Sequence, residues 1–212
     1  MKTFVIHYPK LVERKARLVK EFERLGMEVE WVEHWNKEDP FIQHIKDVTK
    51  SRIGLGHLSA FVKRLWCYQK MIDEDIDEAF IFEDDVVFSP EFETLKIPEG
   101  FDYLRIGIGV SDGTQFTNAK IFLVGNPGGG EAVWVTKTFA SRFLENLRFD
   151  YSHDIVEGAF MFPKLYGIPV CCQYGFESSC EGADQSDKKW LVFTQNYECF
   201  EKYKWSEIRL IP

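Results

Sequence analysis

Near the middle of the chain the sequence reads Ala79-Phe80-Ile81-Phe82-Glu83-Asp84-Asp85-Val86-Val87-Phe88. The first four residues are a continuous apolar run, as in a buried strand. Three acids follow at once, and apolar residues resume directly after them. Consecutive carboxylates at the end of an apolar strand are costly to bury unless a cation meets them. We therefore expect this strand to deliver Glu83, Asp84 and Asp85 to a ligand site, the alternative being a solvated strand end with three surface acids.

The segments that precede this strand predict a parallel sheet. Residues 3–7 form a short apolar strand, residues 11–25 carry apolar side chains at helical spacing before Gly26, and residues 29–32 form a second strand. A strand, a helix and a strand in this order make a βαβ unit, whose strands pair in parallel. In open α/β sheets, ligands bind outside the carboxyl ends of such strands.

The rest of the chain continues the α/β pattern. Helices are predicted over 58–72 and over 138–147, the second capped by Thr136 or Thr138, and a further stretch opens at Ser152-His153-Asp154. Further strands are predicted at 101–108, 120–124, 132–135 and 168–171. Because no repeat or linker interrupts this pattern, the sequence predicts a single α/β domain with a mixed central sheet.

Composition and charge exclude several classes of protein. The 212 residues are 45% hydrophobic and 28% charged, which is typical of one globular domain and excludes a disordered or collagen-like chain. A net charge of −8 argues against a nucleic-acid binder with a broad phosphate footprint. No apolar run is long enough to span a bilayer, and the start lacks a signal-peptide pattern. The five cysteines contain no Cys-x-x-Cys, so we expect reduced thiols and a cytoplasmic location.

The acidic triplet has the chemistry of a metal site. Carboxylates at the carboxyl edge of a sheet suit a hard divalent cation such as Mg²⁺ or Mn²⁺. Such an ion keeps coordination positions open for phosphate oxygens and offsets the charge of a leaving diphosphate. The triplet therefore indicates a site for a metal ion together with a phosphate-bearing ligand.

Residues 81–88 resemble the "(I/L)-(L/F)-E-D-D-(V/D)" segment of glycosyltransferase family 25. That family contains lipopolysaccharide-type β-galactosyltransferases and the collagen galactosyltransferases. Further family motifs are resembled in the same order by residues 4–7 with Glu13-Arg14, 54–59, 101–107, 131–144 and 152–154. The resemblance extends over about residues 3–180.

This resemblance implies a GT-A fold, with a Rossmann-like nucleotide-sugar half at about residues 1–100, a smaller acceptor half at about residues 101–212 and a metal motif of the Asp-x-Asp type. It implies an inverting, metal-dependent transfer of galactose or glucose from a UDP-sugar to a hydroxyl group. The acceptor would be a glycan, a lipid-linked group or a protein, and the cofactor Mn²⁺ or Mg²⁺. Two other functions stay open: a nucleotidyl-type transferase and a non-catalytic module that binds a nucleotide sugar.

The three acids are expected to divide their roles. In an extended segment Glu83 and Asp85 would point to one side and Asp84 to the other. Asp85 is expected to ligate the metal directly, with Glu83 sharing the metal or binding the ribose hydroxyls of the donor. Asp84 would contact the donor sugar or lie buried against a backbone donor.

The catalytic base is expected in the later part of the chain. By the resemblance, Asp154 lies at a helix start close to the cleft, where the helix N-terminus favours the ionised carboxylate. It would take the proton of the acceptor hydroxyl, with Glu157 as the second candidate and a plain N-cap aspartate as the alternative. His153 would complete the metal site or be an ordinary hydrogen-bonded histidine.

The nucleotide base is expected at the end of the first strand, at Ile6, His7 and Tyr8. Arg14, on the following helix, would reach a phosphate or a nearby acid, with a surface charge as the alternative. Trp35, after the second strand, would flank the uracil or the ribose.

Overall fold

The computed structural model describes residues 1–51, 53–107, 122–123, 131–147 and 166–173. Its elements are β1 (Lys2–Ile6), α1 (Val12–Arg24), β2 (Glu30–Val32), α2 (Pro40–Thr49), α3 (Leu55–Asp73), β3 (Glu78–Glu83), β4 (Val86–Phe88), a 3₁₀ turn (Pro90–Thr94), β5 (Tyr103–Gly107), β6 (Phe122–Leu123), β7 (Ala132–Thr136), α4 (Lys137–Glu145) and β8 (Tyr166–Gln173). The predicted α/β class is confirmed.

All strands of the described residues lie in one mixed sheet of order β2-β1-β3-β7-β5-β8-β4, with β6 paired to β8. β1 pairs in parallel with β2 and with β3, which confirms the predicted βαβ unit. β7 is antiparallel to β3 and to β5, while β8 is parallel to β5 and antiparallel to β4. The sheet is therefore continuous across the predicted nucleotide and acceptor halves, and their boundary stays a prediction.

The helices cover the two faces of the sheet separately. On one face, Phe22 of α1 packs against Phe82 of β3 with ring centroids 5.8 Å apart. On the other face, Tyr68 of α3 packs against Phe139 of α4, also at 5.8 Å. The chain therefore leaves β1 along one face and reaches β3 along the other, so the carboxyl end of β1 is the switch point at which open α/β sheets bind ligands.

Local sequence signals set the ends of the helices. Gly26 has a φ of +64° directly after the last turn of α1, a conformation that glycine adopts at little cost. The Asp39 side chain accepts a hydrogen bond from the Phe41 backbone N–H and caps α2. Thr136 does the same for α4 by accepting from the Phe139 backbone N–H, so of the two threonines considered, Thr136 is the cap.

Candidate functional site

Three loops meet at the carboxyl edge of the parallel strands. His7 and Tyr8 follow β1, Glu33 and Asn36 follow β2, and residues 83–85, here called the acid turn, end β3. Because β2, β1 and β3 are parallel neighbours, these loops lie side by side at the switch point. The structure thus brings the nucleotide-binding candidates of the first strand together with the acidic triplet.

Asp84 is the buried centre of this edge, with 7% of its surface exposed. Its Oδ2 accepts hydrogen bonds from His7 Nδ1 at 2.9 Å and from the Tyr8 backbone N–H at 3.0 Å, and its Oδ1 accepts from Arg14 Nη1 at 2.8 Å. Burial opposes ionisation, but the His7 hydrogen bond, the Arg14 charge and the Tyr8 N–H outweigh it and hold the pKa of Asp84 below its usual value. Asp84 therefore meets the second expectation, a carboxylate buried against a backbone donor.

Two arginines of α1 hold the acid turn in place by hydrogen bonds. Arg14 Nη1 lies 2.8 Å from Asp84 Oδ1 and 3.8 Å from Asp85 Oδ2, so Arg14 meets the nearby acid that was one of its two expected partners. Arg17 Nη2 donates to the main-chain oxygen of Val86 at 2.9 Å and approaches that of Asp84 at 3.4 Å. Charge-assisted hydrogen bonds of this kind are stronger than neutral ones, so α1 holds the turn rigidly.

The expected alternation of the three acids is wrong. Asp84 and Asp85 both lie beside Arg14 on the side of α1, whereas Glu83 lies 3.5 Å from Arg64 of α3 on the opposite face. The reason is that β3 ends at Glu83, and the next two residues form a turn in which the period-two rule of strands no longer holds. Glu83 and Asp85 therefore do not share a side.

A buried group of charges lies on the α3 face beneath the acid turn. Arg64, Arg105 and Glu131 are 0%, 1% and 2% exposed. The Glu83 backbone N–H donates to the Glu131 main-chain oxygen at 2.8 Å. The Glu131 carboxylate packs on Gly107, where an added Cβ would lie 2.3 Å from its Oε1. The sequence reasoning missed this group, although a charged Arg105 inside the apolar strand β5 was a readable signal.

The end of β1 is more buried than expected for a segment that binds the nucleotide base. Ile6 is 5% exposed and packs in the core, and His7 is 1% exposed, with its ring 5.5 Å from that of Trp31. Tyr8 is half-buried, and its hydroxyl donates to Glu38. Of the three residues expected at the nucleotide base, Tyr8 is therefore the one that presents its side chain outward.

The loop after β2 is held in a strained conformation. Trp35 has a φ of +53°, which is uncommon for a non-glycine residue and persists only where the surroundings enforce it. Its carbonyl accepts from Ser59 Oγ at 2.7 Å, and its ring packs against His34 and Phe41. Asn36 is held in turn by Lys63 of α3, whose Nζ donates to Asn36 Oδ1 at 2.8 Å. The start of α3 therefore fixes the backbone next to the switch point.

The acid turn fits a metal ion that is shared with a phosphate ligand. Within the described residues, no group of three or more His, Cys, Asp or Glu side chains is arranged to hold a metal by itself. Asp84 already accepts from His7, Tyr8 and Arg14. Glu83 lies beside Arg64 on the opposite face, which makes Asp85 the carboxylate candidate on the side of α1. Mg²⁺ is commonly held by one or two carboxylates together with substrate phosphates, so a single carboxylate at Asp85 fits this chemistry.

Three of the predicted site residues lie outside the described part of the chain. They are Asp154, expected as the catalytic base, Glu157, the second candidate for that base, and His153, expected as a further metal ligand. Their roles stay predictions.

Residues 1–101 match the family model described as glycosyltransferase family 25 (LPS biosynthesis protein). This part of the chain is similar to family 25. The resemblance drawn from the acidic triplet is thus confirmed over these residues, which include β1 to β4 and the acid turn, and it supports a glycosyltransferase. The family 25 motifs after residue 101 stay predictions. No curated protein matches the chain.

Three solved structures show a distant likeness to between 66% and 93% of the chain. "A197 from STIV" is 16% identical, with a TM-score of 0.49, over 81% of this chain and 83% of that one. A glycosyltransferase involved in the glycosylation of the major capsid of PBCV-1 is 12% identical, with a TM-score of 0.36, over 66% and 62%. The inositol-1-phosphate CTP transferase from T. maritima is 14% identical, with a TM-score of 0.38, over 93% and 78%. At these TM-scores the likenesses carry no argument about function.

Helices that could cross a bilayer are absent from the described ranges, because none is both long and apolar enough.

Proposed function

We propose that this protein is an inverting, metal-dependent glycosyltransferase that moves galactose or glucose from a UDP-sugar to a hydroxyl group of a glycan, lipid or protein. The observation that carries the proposal is the acid turn at the switch point of the sheet, within the part of the chain that matches family 25. Asp84 holds the turn and Glu83 lies beside Arg64 on the opposite face, so we assign the cation to Asp85.

The described residues would act mainly by positioning. A divalent cation, Mn²⁺ or Mg²⁺, would supply charge stabilisation for the leaving diphosphate. Arg14 and His7 fix Asp84, and Arg17 fixes the main chain of the turn, so Asp85 is held in one place before the donor arrives. Preorganised charge of this kind costs no rearrangement during the reaction.

The acceptor side of the proposal rests on Asp154. In an inverting transfer a base takes the proton of the attacking hydroxyl while the diphosphate leaves from the opposite face of the sugar. We assign this proton to the Asp154 carboxylate, with Glu157 as the alternative base and His153 as a further metal ligand.

Calorimetric titration of UDP tests the donor and the metal together. With Mn²⁺ present we expect wild-type protein to bind UDP, and with EDTA we expect the binding to be lost. Asp85→Ala should abolish the metal-dependent binding, because it removes the proposed direct ligand. Asp47→Ala is the matched control, since Asp47 is an exposed acid whose Oδ1 only accepts from Gln43 on α2; this variant should bind as wild type does.

Thermal unfolding of Asp85→Ala would show that any loss of binding is not a loss of fold. A panel of UDP-sugars, scored for slow hydrolysis, would then identify the donor. Absence of UDP binding with and without Mn²⁺ would overturn the UDP-sugar proposal. Metal-dependent UDP binding without turnover on any acceptor would instead indicate a binding module.

A further inference from the structure

Lys63 is a buried ammonium group at the switch point. It lies on α3 and is 2% exposed. Its Nζ donates to the main-chain oxygen of His7, after β1, at 2.6 Å and to Asn36 Oδ1, after β2, at 2.8 Å. Asn36 Nδ2 donates onward to the Glu33 main-chain oxygen at 2.8 Å. One lysine therefore ties together the two loops that border the proposed nucleotide site.

These two hydrogen bonds use only two of the N–H donors of the Lys63 ammonium group. An ammonium group has three N–H donors. Among the described residues, only His7 and Asn36 accept from Lys63. Burying a charge is expensive, and an apolar side chain of similar volume at such a place is often more stabilising. The remaining N–H and the positive charge therefore point to an acceptor other than the residues that the structure describes.

The charges around Lys63 are acidic. Burial lowers the pKa of Lys63 to about 8, and the negative charges of Asp84, Glu33 and Glu38 limit that shift. The loop after β2 also contributes His34, whose pKa is lowered by burial and by the Lys63 charge. The ammonium form is thus retained at neutral pH, and it is lost within an experimentally accessible range.

We propose that Lys63 is a binding residue of the nucleotide site, whose third N–H and positive charge hold an anionic phosphate oxygen of the donor. The inference deepens the proposed function and rests on it. His7 and Asn36 would then position Lys63, and Asp85 with its metal would act on the other side of the diphosphate.

Deprotonation separates this role from a purely structural one. A neutral amine keeps two N–H groups, enough for the His7 and Asn36 oxygens, but loses the third donor and the charge. A structural lysine would therefore leave donor affinity unchanged as the pH rises through 8. A phosphate-binding lysine would lose affinity over the same range, and binding of the phosphate would draw a proton back onto it.

The experiment is titration of UDP, with Mg²⁺, into wild-type protein and Lys63→Gln at several pH values from 7 to 9. We expect the wild-type affinity to fall about tenfold across this range, following the protonated fraction of a group that titrates near pH 8. Lys63→Gln should bind about ten- to a hundredfold more weakly at pH 7, the value of a hydrogen bond to a charged group, and should show no such pH dependence.

Proton uptake gives a second readout. At pH 8.5, titrations in buffers of different ionisation enthalpy should show that wild-type protein takes up a fraction of a proton on binding UDP, and that Lys63→Gln takes up none. Lys70→Gln is the matched control on the same helix, because the Lys70 ammonium pairs with Glu30 and Glu74 at 2.8 and 3.1 Å, away from the edge. It should behave as wild type does.

Two outcomes would overturn the inference. One is wild-type protein that binds UDP with the same affinity at pH 7 and 9 and without proton uptake. The other is Lys63→Gln that binds as tightly as Lys70→Gln. Failure of wild-type protein to bind UDP at any pH would instead overturn the proposed donor, and the inference with it, so the two failures are distinguishable.

Discussion

Asp84→Asn removes one charge from the acid turn while keeping the shape of the side chain. The native carboxylate accepts from His7 and Tyr8 on Oδ2 and from Arg14 on Oδ1. An asparagine has a single acceptor oxygen, so its amide group must face donors on one of the two sides. Either orientation places two donors against each other in a group that is 7% exposed in the wild type.

The expected loss of stability in Asp84→Asn follows from the burial of the Asp84–Arg14 ion pair. Breaking a buried ion pair by removing one partner costs about 3–5 kcal/mol. The Arg14 side chain is 13% exposed, and solvent at that end reduces the cost, so we expect Asp84→Asn to lower the free energy of unfolding by about 2–4 kcal/mol at pH 7. Asp73→Asn, at an exposed acid that accepts only from Gln69 on the same helix, should stay within about 0.5 kcal/mol of wild type.

The pH dependence of this loss has a definite sign. The pKa of Asp84 is lower in the folded protein than in the unfolded chain, because the His7, Arg14 and Tyr8 contacts outweigh burial. Its contribution to stability is therefore complete above the unfolded pKa of about 3.9 and is lost as the pH falls through the folded pKa. The difference between wild type and Asp84→Asn should be full at pH 7 and shrink below about pH 4.

Urea unfolding followed by circular dichroism at pH 7 and at acidic pH measures both quantities. A variant within about 0.5 kcal/mol of wild type at pH 7 would refute the reasoning, since that is the range of an ordinary surface substitution. So would a difference that stays constant on acidification, because it would show that the charge of Asp84 is not what stabilises the turn.

Two further changes test the packing around the site. Gly107→Ala should destabilise the protein by about 1–3 kcal/mol, because the new Cβ would lie 2.3 Å from the buried Glu131 carboxylate. In a double-mutant cycle measured by urea unfolding, Glu131→Ala should remove most of this cost. Additive effects of the two substitutions would contradict the contact. Cys67 is 0% exposed, and burial raises the pKa of its thiol. A thiol reagent should therefore leave Cys67 unmodified in native protein and label it after denaturation, as peptide mapping would show. Rapid labelling of Cys67 in native protein would refute its burial.

The elements that could be predicted from sequence are those fixed by local pattern. β1, α1 and β2 follow from apolar runs, helical spacing and Gly26, and their parallel pairing follows from their order. The helix α3 was predicted at 58–72 and spans Leu55–Asp73. In each case neighbours within one element carry the signal, so distant partners were not needed.

The arrangement of the site depended on distant partners and was missed. The acid turn bends because Asp84 meets His7, 77 residues away, and Arg14, 70 residues away. Lys63, Arg64 and Arg105 were not singled out, because charged residues in helices and strands lie mostly at the surface. Their burial depends on acceptors from other segments, which pattern alone does not reveal.

The balance of charge at the edge bears on the need for a metal. The described residues near the acid turn include the cations Arg14, Arg17, Lys63 and Arg64 and the acids Glu33, Glu83, Asp84 and Asp85. A nucleoside diphosphate would add negative charge to this edge. Since Arg14 is already paired with Asp84, we propose a divalent cation at Asp85 as the source of the compensating positive charge. UDP binding that persists unchanged in EDTA would contradict the proposed metal at Asp85.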